Sequence, residues 1–573
     1  MEFLILKRRA KREMNDDSRE FYASLSPLYH LIYPASAATP ASLEYELPRR
    51  GPFGHWLLLA AWLATVGAAA ASEEWRSWEV ARVRLHQTRL TLLESDHVHD
   101  LDYAYRKVGE QAALVAAQQA LTNQQPPLVT PGVRVEAYHS LNDDSVQPFL
   151  RYLPPGYTPT RVPPLIVYLH GYNPGIELIH NPSIPDALGR LADELGACVV
   201  APFGRCNSDF QGVGELDVLR VMDEMCTRFN TDPQRVVLAG HSMGGLGAWC
   251  IGARHPERFS GLLVLSGRGD FYTWHQLTPA DLPPWQRRLV DMQFAAAYAT
   301  NLTTLPVLAW HGGADDLIPF REGRAIVALT RPYNRNITFY ALPQRGHDIV
   351  EDVLLHPKTR TWLQETLRPG HAKNRPVGRR VGETGSRLQD ALLQPFLFVG
   401  GTTTNQEETV RLLQNRADEW CRFTRSQPRH QTEAVMVTNL AAACHLFVFG
   451  EPETSPLVRT ILERAGVQVT PTTFRIAGRT LPRTGHGLWF TGRNPLNPQL
   501  LGIVQCGRPW GETLSDNHRY DRIPDVMVYG EEADRWGYNL AVAAGFLDVQ
   551  DQVQWYDPPV TPAIRQYDVK LCW

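Results

Sequence analysis

Cysteine is scarce: the 573-residue chain holds eight, none in C-x-x-C spacing. That leaves no zinc-finger or dithiol motif. Cys198 runs into Val199-Val200 and Cys444 precedes Leu446-Phe447-Val448, so these read as buried thiols; export would open the way to disulfides whose pairing the sequence does not assign. Charge of one sign is also lacking. With 57 Lys and Arg against 60 Asp and Glu, the net charge is −3, which excludes a polyelectrolyte partner such as nucleic acid. No internal repeat is visible, which excludes a solenoid or blade array. No clear metal constellation is present either. Asp96-His97-Val98-His99-Asp100 lies between two helical patterns and reads as caps and a turn. The length exceeds what one core supports and points to two or three domains, and 15 tryptophans supply bulk for large cores.

The longest apolar stretch, Trp56 to about Ala71, is short for a membrane span. Arg49-Arg50 precede it, small residues Gly67 to Ala71 end it, and Ser72-Glu73-Glu74 follow. That pattern is expected of a secretory signal peptide, giving an exported protein, periplasmic or extracellular. The 50 residues ahead of it, with Lys7-Arg8-Arg9 and Lys11-Arg12, are unusual for one. An upstream start assigned in error accounts for them. The alternatives are a membrane anchor over residues 56–71 with a basic cytoplasmic tail, and a cytosolic protein.

The most informative stretch is Arg235 to Trp249, RVVLAGHSMGGLGAW. A β-branched apolar run stops at Gly240-His241-Ser242-Met243-Gly244, and a small-residue helical pattern starts at Gly245. Strand, sharp turn and helix put one hydroxyl at the apex, where strand and helix crowd and only glycine fits two residues to either side.

A serine hydroxyl needs a base to take its proton and a third group to orient that base, in the chain order Ser, acid, His. Leu305 to Trp310 reads as a buried strand running into His311-Gly312-Gly313-Ala314-Asp315-Asp316. Ile337 to Leu342 reads as the next, running into Pro343-Gln344-Arg345-Gly346-His347-Asp348. Ser242, Asp315 and His347 therefore converge on one sheet edge as nucleophile, orienter and base. Asp316 is the alternative acid; Asp348 adjoins His347 and is expected to point away. His311 is expected to bond within its turn and His241 to pack beside the nucleophile. Two backbone N–H groups must hold the oxyanion. Met243, after the nucleophile, is one; Tyr172, in the His170-Gly171-Tyr172 loop after the strand Pro164 to Leu169, is expected to be the other.

Residues 130–366, about two-fifths of the chain, resemble an α/β-hydrolase, close to the prolyl-oligopeptidase-type catalytic domain and to feruloyl and polyester esterases. The matching pieces are Gln147 to Pro154, the His170-Gly171 loop, Asp232-Pro233-Gln234-Arg235, the elbow, the Asp315 turn and Gly346-His347. Related sequences usually carry another glycine where Cys206 stands, in the strand-end loop Pro202 to Cys206. The resemblance implies an acyl-serine mechanism with no metal and no organic cofactor, and leaves ester against amide open.

The expected fold class is α/β: a mostly parallel hydrolase sheet flanked by helices, a helical N-terminal segment and a second, smaller α/β domain at the C-terminus. Residues 1–72 form the N-terminal extension, 73–128 the helical segment, 129–366 the catalytic domain, 367–392 a polar linker and 393–573 the C-terminal domain, whose role the sequence does not give. In the last, strands are expected at Phe396 to Val399, Leu446 to Phe449, Gly487 to Phe490, Leu501 to Val504 and Val526 to Tyr529. Helices are expected at Glu407 to Phe423, Pro456 to Ala465 and near Ala541; Gly400-Gly401 is a weak anion-cradle signal. Within 129–366, the aromatic insertion holding Phe271, Tyr272, Trp274 and Trp285 is either the substrate pocket or packing on the sheet edge.

The leading functional reading is a serine hydrolase cleaving an acyl ester, because the short elbow comes without a propeller-length gating segment. A serine peptidase of the prolyl-oligopeptidase kind is the alternative, and a non-catalytic carbohydrate- or protein-binding protein on a hydrolase scaffold stands behind it. The implied partner is a small-molecule, polysaccharide-linked ester or peptide substrate, with a membrane involved only through an N-terminal anchor; the oligomeric state is not legible.

Overall fold

The computed structural model describes residues 54–95, 101–173, 177–370, 385–401, 406–424, 428–510, 523–531 and 541–556. The Asp96–Asp100 cluster and the middle of the 367–392 segment lie outside them, as do residues 1–53. The chain divides into two units, Met1–Pro127 and Leu128–Trp573.

The first unit contains two helices, Gly54–Ser95 and Leu101–Asn123. Apolar residues at helical spacing pair them: Leu85 and Leu93 on one, Leu114 and Ala117 on the other, are buried. Ion pairs cross between them, with His86 Nδ1 at 2.5 Å and Arg89 Nη1 at 3.2 Å from the Glu110 carboxylate. Among the described residues no helix is long and apolar enough to cross a membrane.

The second unit opens with an eight-stranded sheet built from β1 (Gly132–His139), β2 (Val146–Leu153), β3 (Leu165–Leu169), β4 (Cys198–Pro202), β5 (Val236–His241), β6 (Gly261–Leu265), β7 (Val307–Gly312) and β8 (Ile337–Leu342). The order is β1-β2-β4-β3-β5-β6-β7-β8. β1, β2 and β4 pair antiparallel; β4-β3-β5-β6-β7-β8 pair parallel. Every residue of β3, β4, β6 and β7 is buried, which is why these strands read as unbroken apolar runs. The helices Asp186–Leu195, Val213–Phe229, Met243–Arg254 and Phe320–Thr330 lie in the connections, and Pro357–Thr366 follows β8. Parallel pairing forces such crossovers, and it puts the C-terminal ends of β3, β5, β7 and β8 along one edge.

A second sheet follows, with β9 (Phe396–Gly400), β10 (His430–Thr432), β11 (His445–Phe449), β15 (Gly487–Asn494), β16 (Asn497–Gly507), β17 (Val526–Tyr529), β18 (Ala543–Leu547) and β19 (Val553–Tyr556) in the order β10-β9-β11-β16-β15-β17-β18-β19. A small antiparallel sheet of β12 (Gln468–Val469), β13 (Thr473–Ile476) and β14 (Arg479–Pro482) is inserted before β15. One apolar cluster draws on both halves: Val213, Trp285 and Leu289 pack with Leu388, Trp420, Trp489 and Trp510.

Two local expectations change. Part of the expected linker is the helix Arg387–Leu392, whose Leu388, Ala391 and Leu392 are buried in that joint cluster. The helix expected near Ala541 falls largely on residues 532–540, outside the described residues; strand β18 follows, hydrogen-bonded on both sides, by β17 and β19. Gly401 serves packing: a Cβ there would meet Ser455 at 2.8 Å, and its N–H donates to the Phe449 carbonyl at 2.7 Å.

Candidate active site

The elbow is built as its residue types require. Strand β5 ends at His241, the helix Met243–Arg254 begins two residues later, and Ser242 between them has φ +59° and ψ −119°. A non-glycine residue there is strained, and the surroundings hold it. The Ser242 N–H donates to the Leu265 carbonyl at 3.0 Å, and the Ser242 carbonyl accepts from Leu246 N–H at 3.1 Å. A Cβ on Gly240 would lie 2.1 Å from the Gly244 carbonyl oxygen, and one on Gly244 would lie 2.0 Å from the Leu169 carbonyl oxygen.

The three side chains expected to meet do so. His347 Nε2 lies 2.7 Å from Ser242 Oγ, and His347 Nδ1 lies 2.8 and 3.1 Å from the two Asp315 carboxylate oxygens. The carboxylate accepts only, so it fixes the tautomer: Nδ1–H donates to Asp315, and Nε2 keeps the lone pair that faces the hydroxyl. Burial pushes the Asp315 carboxyl up, but hydrogen bonds from His311 and His347 and the Ile318 amide more than offset it and hold it well below the usual carboxylate range. Asp315 is buried; Asp316 and Asp348 are exposed. His311 bonds within its turn, its Nε2 reaching the Ile318 carbonyl at 2.8 Å. Gly312 permits the convergence, since a Cβ there would sit 1.9 Å from the Gly346 carbonyl oxygen in the loop that carries His347.

Met243 opens its helix, so its N–H has no acceptor within that helix. The loop after β3 passes over the nucleophile: a Cβ on Gly171 would lie 3.5 Å from Ser242 Cβ, and Tyr172 follows it. His170 is buried beneath this loop, with Nε2 3.1 Å from the Phe203 carbonyl; burial lowers its pKa. His170, Gly171, Tyr172, Asn173, Asn181, Ser183, His241, Ser242, Leu317 and His347 enclose a cleft of about 330 Å³.

The expected aromatic pocket does not form this cleft. Phe271 and Tyr272 pack in the sheet core with Phe294, Trp274 lies under the Arg268 guanidinium at 4.5 Å, and Trp285 is buried in the joint cluster. These large side chains contribute more by burial than by facing water, which is the packing alternative.

His241 packs beside the nucleophile as expected, and the other contributors carried no pattern in the sequence. His241 Nε2–H donates to the His347 carbonyl at 3.0 Å, and Ser266 Oγ donates to the same oxygen at 3.2 Å. Asn173, Asn181 and Ser183 line the cleft from a loop without regular structure. Cys206 has φ +67°, the left-handed region that favours glycine, which accounts for the glycine expected there.

Residues 206–368 match the prolyl oligopeptidase family, a stretch that contains the elbow, the acid turn and the histidine loop. The eight-stranded sheet with its strand–Ser242–helix elbow gives the chain an α/β-hydrolase fold. This α/β-hydrolase is 27% identical over 140 residues to a probable carboxylesterase of Oryza sativa subsp. japonica, covering 24% of this chain and 51% of the relative. It is 28% identical over 171 residues to the iron(III) enterobactin esterase of Escherichia coli strain K12, covering 30% of this chain and 40% of that protein. The chain thus spans about half or less of the length of these relatives. A solved S-formylglutathione hydrolase from Agrobacterium tumefaciens aligns with 42% of this chain and 98% of its own at 17% identity and a TM-score of 0.32.

Proposed function

We propose that the protein hydrolyses an acyl ester through an acyl-serine intermediate. The reading rests on the Ser242–His347–Asp315 relay at the C-terminal edge of the parallel strands. His347 Nε2 takes the Ser242 proton as Oγ attacks the acyl carbonyl, and Asp315 stabilises the imidazolium that forms. The Met243 and Tyr172 amides receive the oxyanion. The imidazolium then protonates the leaving alcohol, and water repeats the cycle on the acyl-enzyme with His347 again as base. Every proton in this scheme is carried by His347, so the steps need no metal and no cofactor.

Ester is favoured over amide by the two relatives whose names say esterase. The match of residues 206–368 to the prolyl oligopeptidase family supports the alternative of a serine peptidase. Paired assays on aryl acyl esters and Pro-containing amides separate them: ester turnover that disappears in Ser242→Ala is expected, and efficient amide turnover with negligible ester turnover would overturn the preference. A fluorophosphonate probe is expected to label Ser242, and no labelling of the folded protein would favour a binding role on a hydrolase scaffold. We further propose export, with residues 56–71 as the targeting segment; N-terminal sequencing of secreted protein tests it by finding a mature chain that has lost that segment.

A further inference from the structure

The loop that carries Tyr172 lacks regular structure, yet an oxyanion donor is useful only if it is fixed before the charge develops. One side chain grips both main-chain groups of the next residue. Asn207 Oδ1 accepts from Asn173 N–H at 3.1 Å, and Asn207 Nδ2–H donates to the Asn173 carbonyl at 2.7 Å. An amide side chain used this way replaces one rung of a strand ladder.

Asn207 is itself held in an unusual backbone. Gly204, Arg205 and Cys206 before it have φ of +60°, +57° and +67°. Arg205 is 1% exposed, and its guanidinium reaches the loop between β1 and β2: Nη1 donates to Asp143 Oδ2 at 2.7 Å and Nη2 to Ser140 Oγ at 2.8 Å. Asp143 also accepts from the indole Nε1–H of Trp420 at 3.3 Å, on the helix Gln406–Thr424 of the C-terminal half. Hydrogen bonds therefore lead from Trp420 through Asp143 to Arg205, the main chain leads on through Cys206 to Asn207, and Asn207 bonds the residue beside the Tyr172 amide.

We propose that Asn207 is the positioning residue of the oxyanion loop, and that the C-terminal half steadies it through Trp420, Asp143 and Arg205. This rests on the serine-esterase reading above, with the Tyr172 amide as donor. It gives residues 393–573 a part in catalysis without any reacting group of their own.

The test uses the full chain with 4-nitrophenyl acetate for turnover and a fluorophosphonate for the first-step rate at Ser242. In Asn207→Ala, kcat and the labelling rate are expected to fall together by about 10- to 100-fold, with KM within about threefold, because only the charged transition state needs the donor placed. The melting temperature is expected to stay close to wild type, and Asn207→Asp, which keeps the oxygen that accepts from Asn173, is expected to retain part of the rate. If Asn207→Ala does not fold, the same readouts on Asn207→Asp decide: an undiminished kcat there overturns the clamp. Trp420→Phe keeps the ring and removes the N–H. It is expected to lower kcat about two- to fivefold in wild type and to have no further effect in Asn207→Ala, since coupled positions are not additive. Independent, multiplying effects overturn the link to the C-terminal half. Labelled wild type with unimpaired Asn207→Ala overturns the clamp alone, whereas wild type that never labels at Ser242 overturns the hydrolase reading and the clamp with it.

Discussion

Asp315 is a carboxylate surrounded by donors. His347 Nδ1–H and the Leu317 and Ile318 amides reach it at 2.8, 3.0 and 2.9 Å. Asp315→Asn keeps the shape but presents an amide that offers donors of its own, so His347 can turn to the wrong tautomer; kcat is expected to fall by about 10⁴ with KM little changed, measured on an aryl ester. The same carboxylate links folding to pH. Its pKa is held below the unfolded value, so its contribution is fully present above about 4 and is lost as pH falls through the folded value. The urea midpoint of wild type is expected to exceed that of Asp315→Asn most at pH 7, with the gap closing below about pH 4. His241 has the same proton preference in a higher pH range. Burial lowers its pKa, so the unfolded chain binds the proton first and stability falls as pH drops below about 6.5. Removing that group in His241→Gln is expected to flatten the slope of unfolding free energy between pH 7 and 5; an unchanged slope would refute the assignment.

At the scale of elements, the elbow is a collision between strand β5 and its helix that glycine alone resolves. The nearest atoms to a Cβ at Gly244 are the Leu169 and His170 backbone, which cannot rotate away. Gly244→Ala is expected to cost about 3 kcal/mol or more, read as a loss of soluble protein or of urea midpoint. Cys206→Gly relieves a left-handed residue, worth about 1 kcal/mol, and gives up contacts with Phe203 and Leu178, so a net change under about 1 kcal/mol is expected by the same measurement. These elements were legible because local chemistry specifies them: the apolar run, the glycine pair and the strand ends fix where Ser242, Asp315 and His347 emerge. The clamp was not legible, since Asn207 and Asn173 are 34 residues apart and an asparagine in a loop looks the same whether or not it grips a backbone. The aromatic insertion misled for a related reason: Phe271 and Trp285 are apolar enough for a pocket or a core, and only packing decides.

Across Leu128–Trp573 the two sheets are not independent bodies. Trp285 and Leu289, from the hydrolase half, are buried in one cluster with Trp420, Trp489 and Trp510 from the C-terminal half. Polar contacts run alongside: Asn142 Nδ2–H donates to the Leu392 carbonyl at 3.2 Å, and the Asn142 carbonyl accepts from Phe396 N–H at 3.0 Å. Separating the halves would expose several fully buried tryptophans and strand Asp143 without its indole donor, a cost neither half recovers alone. The consequence is cooperative unfolding. Urea melts of the full chain followed by tryptophan fluorescence and by ester hydrolysis are expected to coincide, and Trp285→Ala, which leaves a cavity in the shared cluster worth about 3–5 kcal/mol, is expected to shift both curves together. A fluorescence transition of the C-terminal half that precedes an unshifted loss of activity would show that the halves unfold separately, and that residues 393–573 only adjoin the catalytic half.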